Sequence, residues 1–182
     1  MSFSYFPGSI DILIFEYVDI NRVFEYGYLP VIKQLHKNNK FNYLFEDGMN
    51  LAAEYGHLEV IQWLHKNRKE KWTYNVMDKA AEMGHLVLVQ WLHENRKEGC
   101  TEWAMNNAAA NGHLVVLKWL HANRKEGCSG IAIDYAAMNG YLDVVQWLCE
   151  NSCGGISFTA VDVAYREGHH EIAEYLGSIG YG

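Results

Sequence analysis

The sequence predicts an all-α solenoid of about six stacked helix-turn-helix repeats, and three observations lead there. The segment GHLVLVQWLHENRKEGCT at residues 84–101 returns at 112–129 as GHLVVLKWLHANRKEGCS, with thirteen of eighteen positions unchanged. Gly56, Gly84, Gly112, Gly140 and Gly168 stand 28 residues apart, and Gly27 joins them if one residue is inserted between the first two units. Each glycine follows a short helical pattern and precedes a longer one, so the repeated unit reads as a helical hairpin turning at glycine.

Helix A, the shorter one, is expected to start at Thr73, Thr101, Ser129 and Ser157, whose hydroxyls can accept from the free amides of a first turn. Trp72, Cys100, Cys128 and Ile156 precede these residues, and Met77, Met105, Ile133 and Val161 follow four residues after them. That is hydrophobic staple spacing. Near the end of helix A come Ala52 and Ala53, Ala80 and Ala81, Ala108 and Ala109, Ala136 and Ala137, then Ala164 with Tyr165; small side chains there let two helices approach closely. Helix B carries Leu86, Val89 and Leu92 on one line with Leu88 and Trp91 beside it, an apolar arc wider than a surface helix needs. Such a helix touches neighbours on more than one side, so each hairpin packs on those before and after it and none is stable alone.

Composition bounds the function. With 182 residues, 49% of them apolar and 20% charged, the chain can bury a substantial core. The apolar run Ile12 to Phe15 is far short of the roughly 18 to 20 residues of a membrane span, and the start MSFSYFPGSID lacks the features of a secretory signal. The expected location is intracellular and cytoplasmic. A formal charge of −7 argues against nucleic acid or an anionic membrane as partner, since those affinities come from excess Lys and Arg. Cys100 and Cys128 occupy equivalent places in two units, and Cys149 and Cys153 lack a matching pair, so all four cysteines are expected as free thiols.

The pattern A-A-x-x-G-H-L followed by V-V-x-W-L, seen at Ala108, Ala109, Gly112, His113, Leu114, Val115, Val116, Trp119 and Leu120, resembles the ankyrin repeat. Through the run WLHENRKEGCT it is most similar to the short, Trp-containing ankyrin-type repeats of large amoeba-virus and protist proteins; a viral origin would place the chain in the host cytoplasm. The unit is 28 residues where the usual ankyrin repeat has about 33, and the missing residues fall after helix B, so the family's β-hairpin fingers are expected to be reduced or absent. The T-P-L-H start is also absent, and Asn50, Asp78, Asn106, Asp134 and Asp162 stand at its histidine position.

The repeat domain is assigned to 19–182, in units of about 19–44, 45–72, 73–100, 101–128, 129–156 and 157–182, the first a capping unit. Residues 1–18 form an N-terminal segment in which FPGSIDILIFEYVD loosely resembles the opening of an F-box, a module that docks substrate receptors onto ubiquitin ligases.

Four constellations invite chemistry. The histidines recur in two columns, His57, His85, His113 and His169 after the turn glycine and His36, His65, His93 and His121 near the end of helix B. Equivalent residues on stacked helices are about 8 to 10 Å apart, too far to share one zinc, so hydrogen bonding at turns and helix ends is expected and no metal. The Asn/Asp column is spread along the stack instead of converging as catalysis requires, and is expected to bond nearby backbone. Trp63, Trp91, Trp119 and Trp147, ending in Tyr175, are read as packing between repeats, not as base-stacking platforms. Arg68 and Lys69, Arg96 and Lys97, and Arg124 and Lys125, interrupted by Glu70, Glu98 and Glu126, are read as a solvated basic edge at helix C-termini.

Recurring positions build the stack, so varying positions face outward. On helix A the varying columns supply Tyr74, Lys79, Trp103, Ile131, Tyr135, Met138 and Phe158 as the candidate contact set. The resemblance implies that helix A forms the concave face on which a partner protein binds. The sequence therefore predicts a non-catalytic protein-binding module, monomeric and without cofactor; the alternative is a substrate-recruiting ubiquitin ligase adaptor acting through residues 1–18.

Overall fold

The computed structural model describes residues 19–38, 45–69, 71–151, 153, 155 and 158–179, excluding the side chains of Asn38, Phe45, Glu46 and Phe158. The F-box-like segment 1–18 and the expected cap Ser157 lie outside the described residues. Among the described residues there are twelve helices and no strand. They follow one another as hairpins: α1 (Ile20–Glu25) with α2 (Leu29–Asn38), α3 (Phe45–Glu54) with α4 (Leu58–Asn67), α5 (Asn75–Glu82) with α6 (Leu86–Asn95), α7 (Glu102–Ala110) with α8 (Leu114–Asn123), α9 (Ile131–Met138) with α10 (Leu142–Glu150), and α11 (Phe158–Arg166) with α12 (His170–Ile179).

The odd-numbered helices pack on one another in chain order and form one continuous layer, whereas successive even-numbered helices touch lightly. Side-chain size explains the difference. Ala52, Ala53, Ala80, Ala81, Ala108, Ala109, Ala136 and Ala137 are wholly buried and let the helix A segments come close. Val60, Ile61 and Leu64 on α4, with Leu88, Val89 and Leu92 on α6, fill the space between the two layers, and the core is continuous from Val23 to Leu176.

The turn between the paired helices is fixed by backbone bonding. At the end of α5, the Gly84 N–H donates to Ala81 O at 3.1 Å and the His85 N–H to Ala80 O at 2.9 Å, a Schellman closure. That closure needs φ of +78° at Gly84, a conformation costly for any residue with a Cβ. A second constraint acts there too, because a Cβ on Gly84 would lie 2.7 Å from Nδ1 of His113 in the following unit. Gly56 meets His85 in the same way at 2.6 Å, while at Gly112 the neighbouring ring is Tyr141.

Polar columns tie each unit to the next. The Nε2 atoms of His57, His85 and His169 bond the carbonyls of Glu25, Glu54 and Met138 at 2.5, 2.8 and 3.1 Å. Asp78 accepts from the Thr101 N–H and hydroxyl, and Asn106 accepts from the Ser129 N–H while donating to its hydroxyl. Thr101 also caps α7 by accepting from the Trp103 N–H at 3.2 Å. The expected caps Thr73 and Ser129 do not act that way: helical backbone begins at Tyr74 and Gly130, neither of which makes a side-chain cap bond. The Ser129 hydroxyl is instead spent on Asn106. Asp19, which the repeat pattern did not single out, caps α1 through the Asn21 N–H.

Two sequence readings need correction. The arginines at the ends of the helix B segments are not simply solvated. Arg96 forks onto Glu98, with Nε and Nη2 at 3.1 and 2.6 Å from its two oxygens, donates to Nδ1 of His65 at 3.2 Å, and lies 4.5 Å over the Trp72 ring. Arg124 repeats the arrangement with Glu126 and His93. The rigid guanidinium fork can satisfy several partners at once, which a solvated lysine does not require. The second correction concerns the cysteines: Cys128 is joined to Cys153, 25 residues on, with Cα atoms 5.7 Å apart, and only Cys100 and Cys149 are free. Consecutive units place the staple residue of one beside the last turn of the next, so residues remote in sequence become neighbours.

Candidate functional site

The odd-numbered layer carries most of the sequence-selected contact residues at its surface. Tyr74 is 51% exposed and Trp103 is 43% exposed, although both belong to helix segments whose other faces are buried among alanines. Tyr74 precedes α5, where the chain has already entered helical backbone, and Trp103 lies in the first turn of α7, directed there by the Thr101 cap. Between α5 and α7 these residues line a shallow depression of about 360 Å³ together with Asn50, Asn75, Asp78, Lys79, Glu82 and Asn107.

Its polar residues are linked. Lys79 Nζ pairs with Glu82 Oε2 at 3.0 Å, and Asn107 Nδ2 donates to the same oxygen at 3.3 Å. Asp78 is buried, and burial raises its carboxyl pKa above the usual value despite the opposing hydrogen bonds from Thr101. Asn50 differs from its counterparts. Its Oδ1 is buried and has no hydrogen-bond partner, whereas Asp78 and Asn106 use the corresponding oxygens to hold the next unit.

The seven candidates are therefore not one cluster. Tyr74, Lys79 and Trp103 surround the depression; Ile131 and Tyr135 are exposed farther along, on α9; Met138 is half-buried and uses its carbonyl to hold His169. The Phe158 side chain lies outside the described residues. Glu82 and Asn107 were overlooked, although they stand in the same varying columns as Met138 and Lys79. Tyr165, 67% exposed on α11, was read as a substituted alanine of the packing column.

The helix A segments from α3 onward are predominantly acidic. From α3 to α11 the helix A segments carry Asp47, Glu54, Asp78, Glu82, Glu102, Asp134 and Asp162, while their cations are Lys79 and Arg166. Each of those cations is paired with an acid on its own helix, Lys79 with Glu82 and Arg166 with Asp162. The helix B segments and the turns that follow them carry both signs, with Lys66, Lys97, Lys118 and Lys125 beside Glu59, Glu94, Glu98, Glu126, Asp143, Glu150, Glu171 and Glu174.

Elsewhere the helix B histidines have structural partners. His36, His65, His93 and His121 each meet the edge or face of the next unit's tryptophan, Trp63, Trp91, Trp119 and Trp147, at 5.2 to 5.3 Å between ring centroids and nearly perpendicular. These tryptophans are half-buried and form an inter-repeat ladder. Among the described residues, no group of three or more His, Cys, Asp or Glu side chains is arranged to hold a metal ion. Burial pushes the Cys100 thiol up to about 11, which keeps it protonated near neutrality. No helix among the described residues is long and apolar enough to cross a membrane.

Comparison with known proteins agrees with this architecture. No curated protein matches the chain. The family model described as ankyrin repeats (3 copies) matches residues 105–181, and that described as ankyrin repeats (many copies) matches residues 49–93 and 77–121. With helical hairpins stacked through buried alanines and glycine turns, and with these matches running from residue 49 to 181, the chain belongs to the ankyrin repeat family.

Proposed function

We propose that this chain is a non-catalytic module that binds a partner protein on its helix A face, centred on Tyr74, Lys79 and Trp103 and extending along Ile131, Tyr135 and Met138 towards Phe158. Ankyrin repeats generally mediate protein–protein interaction, and they are typically non-catalytic. The observation that carries the reading is the pair of large aromatic side chains, Tyr74 and Trp103, left exposed beside the same depression in a layer otherwise built on buried alanines. Aromatic anchors in such settings supply much of the binding energy of protein interfaces, and a preassembled helical surface loses little entropy on binding.

A photo-crosslinking residue placed at Trp103 or Tyr135, compared with one at Val87 or Val115 on exposed positions of helix B, tests the face. Crosslinks to protein from native extract at the first two positions, absent at the other two and abolished by Tyr74→Ala, are expected. Equal labelling at all four positions, or labelling confined to helix B, overturns the proposal.

A further inference from the structure

We propose that the depression between α5 and α7 receives a basic segment of the partner protein, with one arginine side chain seated between Tyr74 and Trp103. The inference rests on the helix A reading above and names the chemistry which that face selects. Three observations point the same way.

The first is the presence of two exposed rings. Tyr74, just before α5, and Trp103, on α7, line one depression, and a guanidinium is the polar group that stacks on aromatic faces while keeping its edge free for hydrogen bonds. The second is the acceptor in the lining. Glu82 takes Lys79 and Asn107 on Oε2 alone, so its carboxylate has a second oxygen for a further donor. An arginine brings five donors and no acceptor and can add to that carboxylate; an incoming carboxylate or phosphate would place acceptor against acceptor. The third is the charge of the layer. From α3 to α11 its cations Lys79 and Arg166 are already paired with acids on their own helices, and the other charges of that stretch are acidic. That field attracts a basic segment and repels nucleic acid.

A random peptide library displayed on phage and panned against the full chain, and in parallel against Tyr74→Ala/Trp103→Ala, gives the test. The variant alters exposed residues, and its helical content and melting temperature serve as the folding check. Peptides retained only by the unaltered chain are expected to carry an arginine at a common position. Replacing that arginine by citrulline, a neutral isostere, is expected to weaken binding about tenfold, as is Glu82→Lys, and raised salt is expected to weaken it further. Ring-dependent peptides without a basic residue, or binding indifferent to citrulline, would overturn this inference while leaving the helix A reading intact. If no recovered peptide depends on either ring, both fall. Binding of single-stranded RNA that is lost in the same variant would overturn the assignment of partner class.

Discussion

Thr101 donates both its backbone N–H and its hydroxyl to the Asp78 carboxylate, at 2.8 and 2.7 Å, so one side chain of a unit fixes the start of the next. Asn106 does the same for Ser129 without a charge, its Oδ1 accepting from the N–H and its Nδ2 donating to the hydroxyl. Burial raises the Asp78 pKa, so the ionised form is held at some cost near neutrality, and that cost is relieved as pH falls through the raised value. Asp78→Asn is expected to keep the bond from the Thr101 N–H, reverse the hydroxyl bond as Asn106 does with Ser129, and leave the urea midpoint at pH 7 unchanged or higher. Asp78→Ala strands the Thr101 N–H and is expected to lose about 1 to 3 kcal/mol. Equal losses in the two variants would show that the charge itself is required.

Gly84 and His113 make a comparable pair, separated by one unit. Gly84→Ala meets two penalties, a left-handed conformation costing about 1 to 2 kcal/mol and a Cβ 2.7 Å from the His113 ring. Removing the ring should cancel only the second. Gly84→Ala is therefore expected to cost more in the native background than in His113→Ala, and a double-mutant cycle on urea midpoints measures the difference. Strict additivity would show that the ring moves aside freely.

These two pairs also indicate what the sequence made legible. Columns that repeat a single chemical demand, such as the turn glycines and the buried alanines, were readable because the same constraint is printed several times. The Trp63 to Trp147 column was readable as packing for the same reason, although its edge-on partners, the histidines one unit earlier, were not. What stayed hidden lies in the offset between units. Cys128 and Cys153 differ in column and therefore looked unrelated, yet Trp72 with Arg96, Cys100 with Arg124 and Cys128 with Cys153 are three versions of one contact between a staple residue and the end of the following helix B. The site was legible only as a list of varying positions. Which of them gather round one depression depends on where helical backbone begins at Tyr74 and Glu102, a boundary that the hydroxyl residues did not mark uniformly.

Acid should expose the His113 position. Burial is the main cause that lowers its pKa, the neighbouring His85 adds to it, and the hydrogen bond to the Glu82 carbonyl opposes it. Above its usual value of 6.5 the ring is neutral whether the chain is folded or not, and its packing is fully available. As pH falls below 6.5 the unfolded chain takes a proton that the folded chain resists, so stability declines until the folded pKa is passed. Tyr141 occupies the equivalent place against Gly112, which makes His113→Tyr a substitution with precedent in this fold. The urea midpoint of the native chain is expected to fall more steeply from pH 7 to 5 than that of His113→Tyr. Parallel curves would remove His113 as the source.

The Cys128 to Cys153 link closes a loop of 25 residues across the fifth unit. On chain-entropy grounds such a loop restrains the unfolded ensemble by about 3.5 kcal/mol, and the 5.7 Å separation of the Cα atoms lies within the range a disulfide spans without moving the backbone. Reductant is expected to lower the melting temperature of the native chain and to leave Cys128→Ser/Cys153→Ser unaffected. Cys100 supplies an internal control, because burial pushes its thiol up to about 11 and so leaves little thiolate to react. Iodoacetamide at pH 7.5 should spare Cys100 in the folded chain, label Cys128 and Cys153 only after reduction, and label all four cysteines once reduction is combined with urea. Rapid labelling of Cys128 without reductant, together with a melting temperature indifferent to reductant, would show that the two sulfurs are neighbours without being bonded.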